Sequence, residues 1–178
     1  MQIVVLTGSP RKNGNSSYLA DRFIAGAEEA GHSIFRFDAA FKKVNGCIAC
    51  DHCMTAGACV YDDDFTRELK PRLIDADMVV FCSPMYYFGF SSQLKTVIDR
   101  FYWINDTIKG VPKKTALLVS YGDDSLEDAD AIKLHYETIA KYLGWKDCGI
   151  VAAQAVVAAG DVRGTRYGEE AYELGRAL

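Results

Sequence analysis

Four cysteines carry the most specific chemistry in the chain. Cys47, Cys50, Cys53 and Cys59 follow one another as C-x2-C-x2-C-x5-C. Thiols at this spacing can converge on one metal centre, and a cubane iron–sulfur cluster takes four thiolates. The first three match the compact ferredoxin spacing, and the fourth comes two residues later. Zinc favours two C-x2-C pairs set farther apart. The spacing is specific for four clustered thiols. It leaves open whether they hold an assembled cluster, stay free, or pair as a redox disulfide. His52, between two of them, reads as a solvent-facing spacer.

A second stretch suits an anion. The apolar run Ile3-Val4-Val5-Leu6 breaks into Thr7-Gly8-Ser9-Pro10-Arg11-Lys12-Asn13-Gly14-Asn15-Ser16-Ser17. A helical pattern follows, with Leu19, Phe23, Ala27 and Ala30 three or four apart. Strand, polar glycine-containing loop and helix together form an arrangement that binds phosphate through backbone N–H groups, hydroxyls and the helix start. The Walker pattern fails, because Asn13 stands five residues after Gly8 and Asn15 follows Gly14. The dinucleotide pattern G-x-G-x-x-G fails at Pro10. What remains is a hydroxyl- and amide-rich loop able to wrap a terminal phosphomonoester without a metal. The same residues would also serve an ordinary strand-to-helix turn capped by Ser or Asn.

A third stretch suits a flat ring. Pro84-Met85-Tyr86-Tyr87-Phe88-Gly89 follows the apolar strand Met78–Cys82. A planar redox ring needs apolar walls and a few backbone hydrogen bonds at its polar edge. This loop could supply both, and its aromatics could equally be core or interface residues.

The elements that must position these loops alternate strand and helix. Strands are expected at 2–7, 33–38, 78–82, 115–120 and within 149–157. Helices are expected at 15–30, about 65–75 with a kink at Pro71, about 92–103, about 128–143 and about 165–178. Alternating units imply a parallel sheet covered by helices on both faces. Five units fit a three-layer αβα sandwich, flavodoxin-like, with a five-stranded parallel sheet in the order 2-1-3-4-5. Ligands then sit at the carboxyl edge, where strands one and three diverge. The loops 7–17 and 83–90 both fall there. The cysteine segment follows strand two at the same edge.

On these residues the chain resembles the flavodoxin-like NAD(P)H-dependent FMN reductases, and within them the iron–sulfur flavoprotein branch. GSPRKNGNSS is similar to that family's flavin-phosphate loop, and Ser-Pro-x-Tyr-x-x-Gly to its isoalloxazine loop. The resemblance implies that Ser9, Arg11, Asn15, Ser16 and Ser17 hold the FMN phosphate. It implies that Pro84, Met85, Tyr86, Phe88 and Gly89 line the ring. Ser120 and Gly122, ending strand four, are weaker candidates for the ring's pyrimidine side, and Tyr121 and Asp123 are held loosely there. It implies a [4Fe–4S] cluster at Cys47, Cys50, Cys53 and Cys59. NADH or NADPH is the implied hydride donor, with a quinone, nitroaromatic, flavin or protein as acceptor. A homodimer or homotetramer is also implied.

The totals are consistent with this reading. The 178 residues are 49% hydrophobic and 25% charged, with net charge −4. That is globular composition, expected as a single domain over residues 1–178. The scattered basic residues offer no nucleic-acid surface. No apolar run reaches a membrane span, and the first residues lack a signal-peptide layout, so the expected location is cytoplasmic. Six cysteines then argue for metal, cluster or thiol chemistry over disulfides. Cys82 and Cys148 read as small core hydrophobes. No triad or paired-carboxylate site emerges, and hydride transfer to a flavin requires none. The alternatives are an electron carrier between protein partners and a non-catalytic thiol or cluster sensor.

Overall fold

The computed structural model describes residues 1–178. Strands β1 (Gln2–Thr7), β2 (Ser33–Asp38), β3 (Met78–Tyr86), β5 (Lys114–Ser120) and β6 (Lys146–Ala153) form a parallel sheet in the order β2-β1-β3-β5-β6. This is the expected five-strand order. A two-residue strand β4 (Gly89–Phe90) is added, pairing antiparallel with the end of β3. It follows from β3 running four residues past Cys82 before turning back.

Strand alternation divides the core between two layers. Ile3 and Val5 face helices α1 (Asn15–Glu29) and α7 (Tyr167–Arg176), together with Val80 and Leu118. Val4 and Leu6 face the opposite layer with Phe81, Leu117 and Val119. That layer holds α3 (Lys70–Asp75), α4 (Ser92–Asp99), α5 (Phe101–Ile108) and α6 (Asp130–Leu143). Residues buried on both faces explain why β1, β3 and β5 read as unbroken apolar runs.

Two expected helices differ in detail, and one helix is unexpected. The helix at 65–75 begins as a π-helical turn, Phe65–Leu69, and becomes α-helical at Lys70, with Pro71 in the first turn of α3 where its missing N–H costs nothing. The helix expected at 92–103 is two helices, α4 and α5, that meet at Arg100 and continue to Ile108. A short helix α2 (His52–Ala56), which periodicity did not signal, lies within the cysteine segment.

Helices α1 and α7 touch through paired glycines. A Cβ on Gly26 would strike the Tyr172 carbonyl oxygen and lie 3.0 Å from Arg176 N. A Cβ on Gly175 would strike the Phe23 carbonyl oxygen and lie 2.9 Å from Ala27 N. The neighbours are backbone and cannot swing away. Gly26→Ala is therefore expected to cost about 3 kcal/mol, lowering Tm by on the order of 6–12 °C. A thermal melt with Tm unchanged would contradict this packing.

Candidate functional site

At the carboxyl edge of the sheet, a cavity of about 190 Å³ opens between the ends of β1, β3 and β5. Ser9, Arg11, Gly14, Asn15 and Ser16 line one end. Pro84, Met85 and Tyr86 form one wall, with Ser120, Tyr121 and Gly122 beside them. Val156 and Val157 close it from a direction the sequence did not signal. Nine of the twelve expected cofactor residues therefore share one cavity. Ser17, Phe88 and Gly89 do not line it.

The loop after β1 is built by its own polar groups. Ser9 Oγ accepts from Arg11 N at 3.1 Å and donates to Arg11 O at 3.0 Å. Ser17 Oγ also donates to Arg11 O, at 3.2 Å. Gly14 closes the turn, its N–H reaching Arg11 O at 3.1 Å. A Cβ there would stand 2.9 Å from Ser9 Oγ. Helix α1 starts with no side-chain cap and no acidic residue in its first turn. Its first amides and the partial positive charge of its start thus face the cavity end without a competing carboxylate.

Asn15 uses its amide within the chain. Nδ2 donates to Val156 O (3.2 Å) and Ala158 O (2.9 Å). Oδ1 accepts from Gly160 N (3.0 Å) and Val162 N (3.3 Å). It therefore fastens the 156–162 loop over the cavity. Asp161 adds two bonds to the same loop, accepting from Val157 N and Ala158 N. This segment carries no motif of its own. Its signal lies in Asn15, a residue whose partners are more than 140 positions away.

Tyr121 is 3% exposed, and its hydroxyl has no hydrogen-bond partner. Burial pushes its pKa up, so it stays a neutral donor. Across the cavity, β3 and β4 form a two-residue hairpin, with Met85 opposite Phe90 and Tyr86 opposite Gly89. Its turn residues Tyr87 and Phe88 have φ of 46° and 63°. Two aromatic residues in the left-handed region cost on the order of 1–3 kcal/mol each. The turn holds Tyr87 fully exposed and Phe88 half exposed at the rim. The arrangement can take an anion at one end and a flat, partly apolar group at the other.

The four clustered cysteines line a separate small cavity of about 20 Å³, with Ile48, Val60, Tyr61, Arg100, Tyr102 and Trp103. All six cysteines of the chain are unbridged. The loop bends through left-handed backbone at Ala49 and Asp51, both with φ of 52°. Helix α5 pins it: Tyr102 Oη donates to Asp51 Oδ1 at 3.0 Å, and Trp103 Nε1 to Gly57 O at 3.2 Å. No three His, Cys, Asp or Glu side chains in the structure converge as a metal-ligand group. The thiols share one cavity without closing into a ligand set.

Beneath this loop lies a buried ion pair. Arg100 Nη1 donates to Asp63 Oδ2 and to Asn45 O, each at 2.9 Å. Asp63 also accepts from Asn45 N at 2.9 Å. Burial opposes its ionisation, but the Asn45 amide and the Arg100 guanidinium outweigh it and hold its pKa below the usual carboxylate value.

A model of the NADPH-dependent FMN reductase family matches residues 1–147. The chain belongs to that family. Its curated relatives include proteins named iron–sulfur flavoprotein. One from Archaeoglobus fulgidus is 38% identical over 112 residues, 62% of this chain and 50% of that relative. One from Methanocaldococcus jannaschii is 35% identical over 100 residues, 56% of this chain and 51% of the relative. The matched stretch thus spans about half the length of these relatives. Among solved structures, an NAD(P)H:quinone oxidoreductase from Methanothermobacter marburgensis superposes with a TM-score of 0.72 at 19% identity, covering 100% of this chain and 96% of its own. An FMN-dependent NADH-azoreductase from Bacillus anthracis, solved with FMN, superposes at 0.70 with 15% identity, covering 100% and 99%. These likenesses establish the flavodoxin-like fold. No helix is long and apolar enough to cross a membrane.

The two remaining cysteines differ from each other. Cys82 is buried as expected. Its thiol donates to Ser16 O at 3.0 Å, and burial pushes its pKa up to about 12. Cys148 is partly exposed rather than core, because β6 is an edge strand. Native protein treated with iodoacetamide at pH 8 is expected to label Cys47 and Cys50 and to leave Cys82 unmodified until denaturant is added. Peptide mass spectrometry reads this out. Labelling of Cys82 at the rate of Cys47 would contradict the packing of α1 on β3.

Proposed function

We propose that this chain is an oxidoreductase that binds FMN in the β1–β3–β5 cavity. It takes hydride from NADH or NADPH and delivers electrons to a quinone, nitroaromatic, flavin or protein acceptor. FMN, when bound, supplies acceptance of two electrons as hydride and their release one at a time.

The observation that carries this reading is a cavity lined by Tyr121, whose buried hydroxyl has no partner, and by the uncapped start of α1. A buried donor without a partner is uncommon in a native structure. A flavin's polar ring edge would satisfy it. The amides of Asn15–Ser17, the Ser9 and Ser16 hydroxyls and the Arg11 guanidinium would hold the phosphate at the other end. Pro84, Met85 and Tyr86 would bear on the ring, with Phe88 and Gly89 shaping the hairpin that presents them. Ser120 and Gly122 would flank its pyrimidine side. Asn15 would act mainly through the 156–162 loop. None of these groups needs to donate or accept a proton for hydride transfer.

The four thiols favour a second, compatible reading, in which Cys47, Cys50, Cys53 and Cys59 hold a [4Fe–4S] cluster. Its support is that all four border one apolar-walled cavity, and that the curated relatives are named iron–sulfur flavoproteins. Such a group would add single-electron transfer to a protein partner. The proposal takes residues 1–178 as one domain acting in the cytoplasm as a homodimer or homotetramer. The exposed aromatics at the cavity rim suit a subunit contact.

Protein purified anaerobically is expected to show flavin absorption and to oxidise NADH or NADPH with a quinone present. It is expected to carry about four irons and four sulfides per chain on assay. Flavin without iron would leave the reductase and remove the cluster. Iron without nicotinamide oxidation would leave an electron carrier. No flavin uptake from added FMN would overturn the whole reading.

A further inference from the structure

We propose that the side chain of Asn15 acts on the ring end of the carboxyl-edge cavity and not on the phosphate. Through the 156–162 loop it sets Val156 and Val157 as an apolar wall for the ring, which makes it a positioning residue. The inference rests on the reading that this cavity holds FMN.

A carboxamide has two N–H donors and two acceptor lone pairs. Asn15 is buried and uses all four. Nδ2 gives its hydrogens to the carbonyls of Val156 and Ala158, at 3.2 and 2.9 Å. Oδ1 accepts from the amides of Gly160 and Val162, at 3.0 and 3.3 Å. Two carbonyls on one side and two N–H groups on the other fix which end is nitrogen. The side chain keeps no donor for an anion. At the phosphate end Asn15 can therefore offer only its backbone N–H, whereas Ser16 brings a hydroxyl to the same cavity.

The loop is tied from its other side as well. Val156 N donates to Tyr121 O at 3.0 Å, and Ala155 N to Asp123 O at 2.8 Å. Val156 is thus held at the end of β5 through its N–H and at the start of α1 through its carbonyl. Asp161 accepts from Val157 N at 3.0 Å and from Ala158 N at 2.7 Å. What the loop presents to the cavity is two valine residues. Val157 is mostly exposed, and a Cβ on Gly122 would stand 3.2 Å from its Cγ2. That approach sets Val157 beside the end of β5, where Ser120 is the register partner of Pro84. Methyl groups offer nothing to a phosphate and suit the face or edge of a flat apolar ring. A wall fixed before the ligand arrives does not have to be ordered on binding.

Titrating FMN and riboflavin into flavin-free variants separates the two ends of the cavity. Asn15→Ala removes the four bonds and adds no charge at the helix start. Asp161→Ala loosens the same loop from outside the phosphate residues, and it decides the matter alone if N15A does not fold. Both variants are expected to weaken FMN and riboflavin by the same factor, on the order of tenfold. The preference for FMN over riboflavin then stays as in wild type. Ser16→Ala is expected to weaken FMN alone. Visible circular dichroism of the bound flavin at saturation reports the surroundings of the ring, which a merely less stable fold would not alter. It is expected to change in N15A and D161A and to match wild type in S16A. A loss confined to FMN in N15A, or a wild-type spectrum in either loop variant, would overturn the proposal. Hydrogen exchange of the wild-type protein needs no variant. The Gly160 and Val162 amides are expected to be protected, and exchange at the rate of an open loop would sink the role given to Asn15. Wild-type protein that takes up neither flavin would overturn the FMN reading and this inference with it. Wild type that binds both, beside an N15A that loses FMN alone, would leave the cavity reading standing and remove only the role of Asn15.

Discussion

One hydroxyl joins the two loops on which the candidate site depends. Ser91 Oγ donates to Gly8 O at 2.8 Å and accepts from Leu94 N at 3.4 Å, capping α4. The Ser91 N–H donates to Ser83 Oγ at 3.0 Å. Gly8 N completes the knot by donating to Cys82 O at 2.8 Å. The loop after β1 and the hairpin after β3 are thereby locked at one spacing. No other residue fits at position 8, since a Cβ would strike Ser91 Oγ and stand 2.7 Å from Leu94 Cβ. The chain begins two chemically different loops from neighbouring strands and holds them apart by the width of a cavity. A packed sheet edge makes that spacing rigid, and rigidity is what a site for a flat, charged ligand requires.

Around this knot the two layers divide the work. The α1–α7 layer supplies the helix start at the anion end and, through Asn15, the 156–162 loop. The α3–α6 layer supplies the junction at Arg100 and the aromatic residues that hold the cysteine segment. The carboxyl-edge cavity thus takes its helix start and covering loop from one face of the sheet, and the cysteine cavity takes its support from the other. Strain is concentrated where the chemistry is expected: the left-handed Tyr87 and Phe88 in the hairpin, and Ala49 and Asp51 in the cysteine loop.

Much of this is legible in the sequence, for reasons that particular residues make plain. The runs Ile3–Leu6, Met78–Cys82 and Thr115–Val119 are apolar on both faces, so they could only be central parallel strands. Where the Walker and dinucleotide patterns fail, the loop still brings Ser9, Asn15 and Ser16 to one cavity. The missed features are those that local pattern cannot encode. Val156 and Val157 reach the cavity because Asn15 binds their loop from the far end of the chain. The break at Arg100 is invisible to helical periodicity, because α4 and α5 together keep an apolar face through it. The cause is tertiary: a buried guanidinium must meet Asp63 and Asn45. The hairpin is hidden in the sequence because Tyr-Phe is not a usual pair for a turn that needs positive φ at both positions. Cys148 has the pattern of a core residue in a strand, and only the edge position of β6 exposes it.

The central claim is that the uncapped start of α1 and its polar loop hold a phosphate while the rest of the cavity holds the ring. Comparing FMN with riboflavin tests it most directly, because the two differ only in that phosphate. Titrating each into flavin-free protein and following flavin fluorescence gives both affinities. The account predicts that FMN binds tighter by at least about tenfold, the contribution of one or more charge-assisted hydrogen bonds. Equal affinity for the two flavins, or binding of neither, would contradict it.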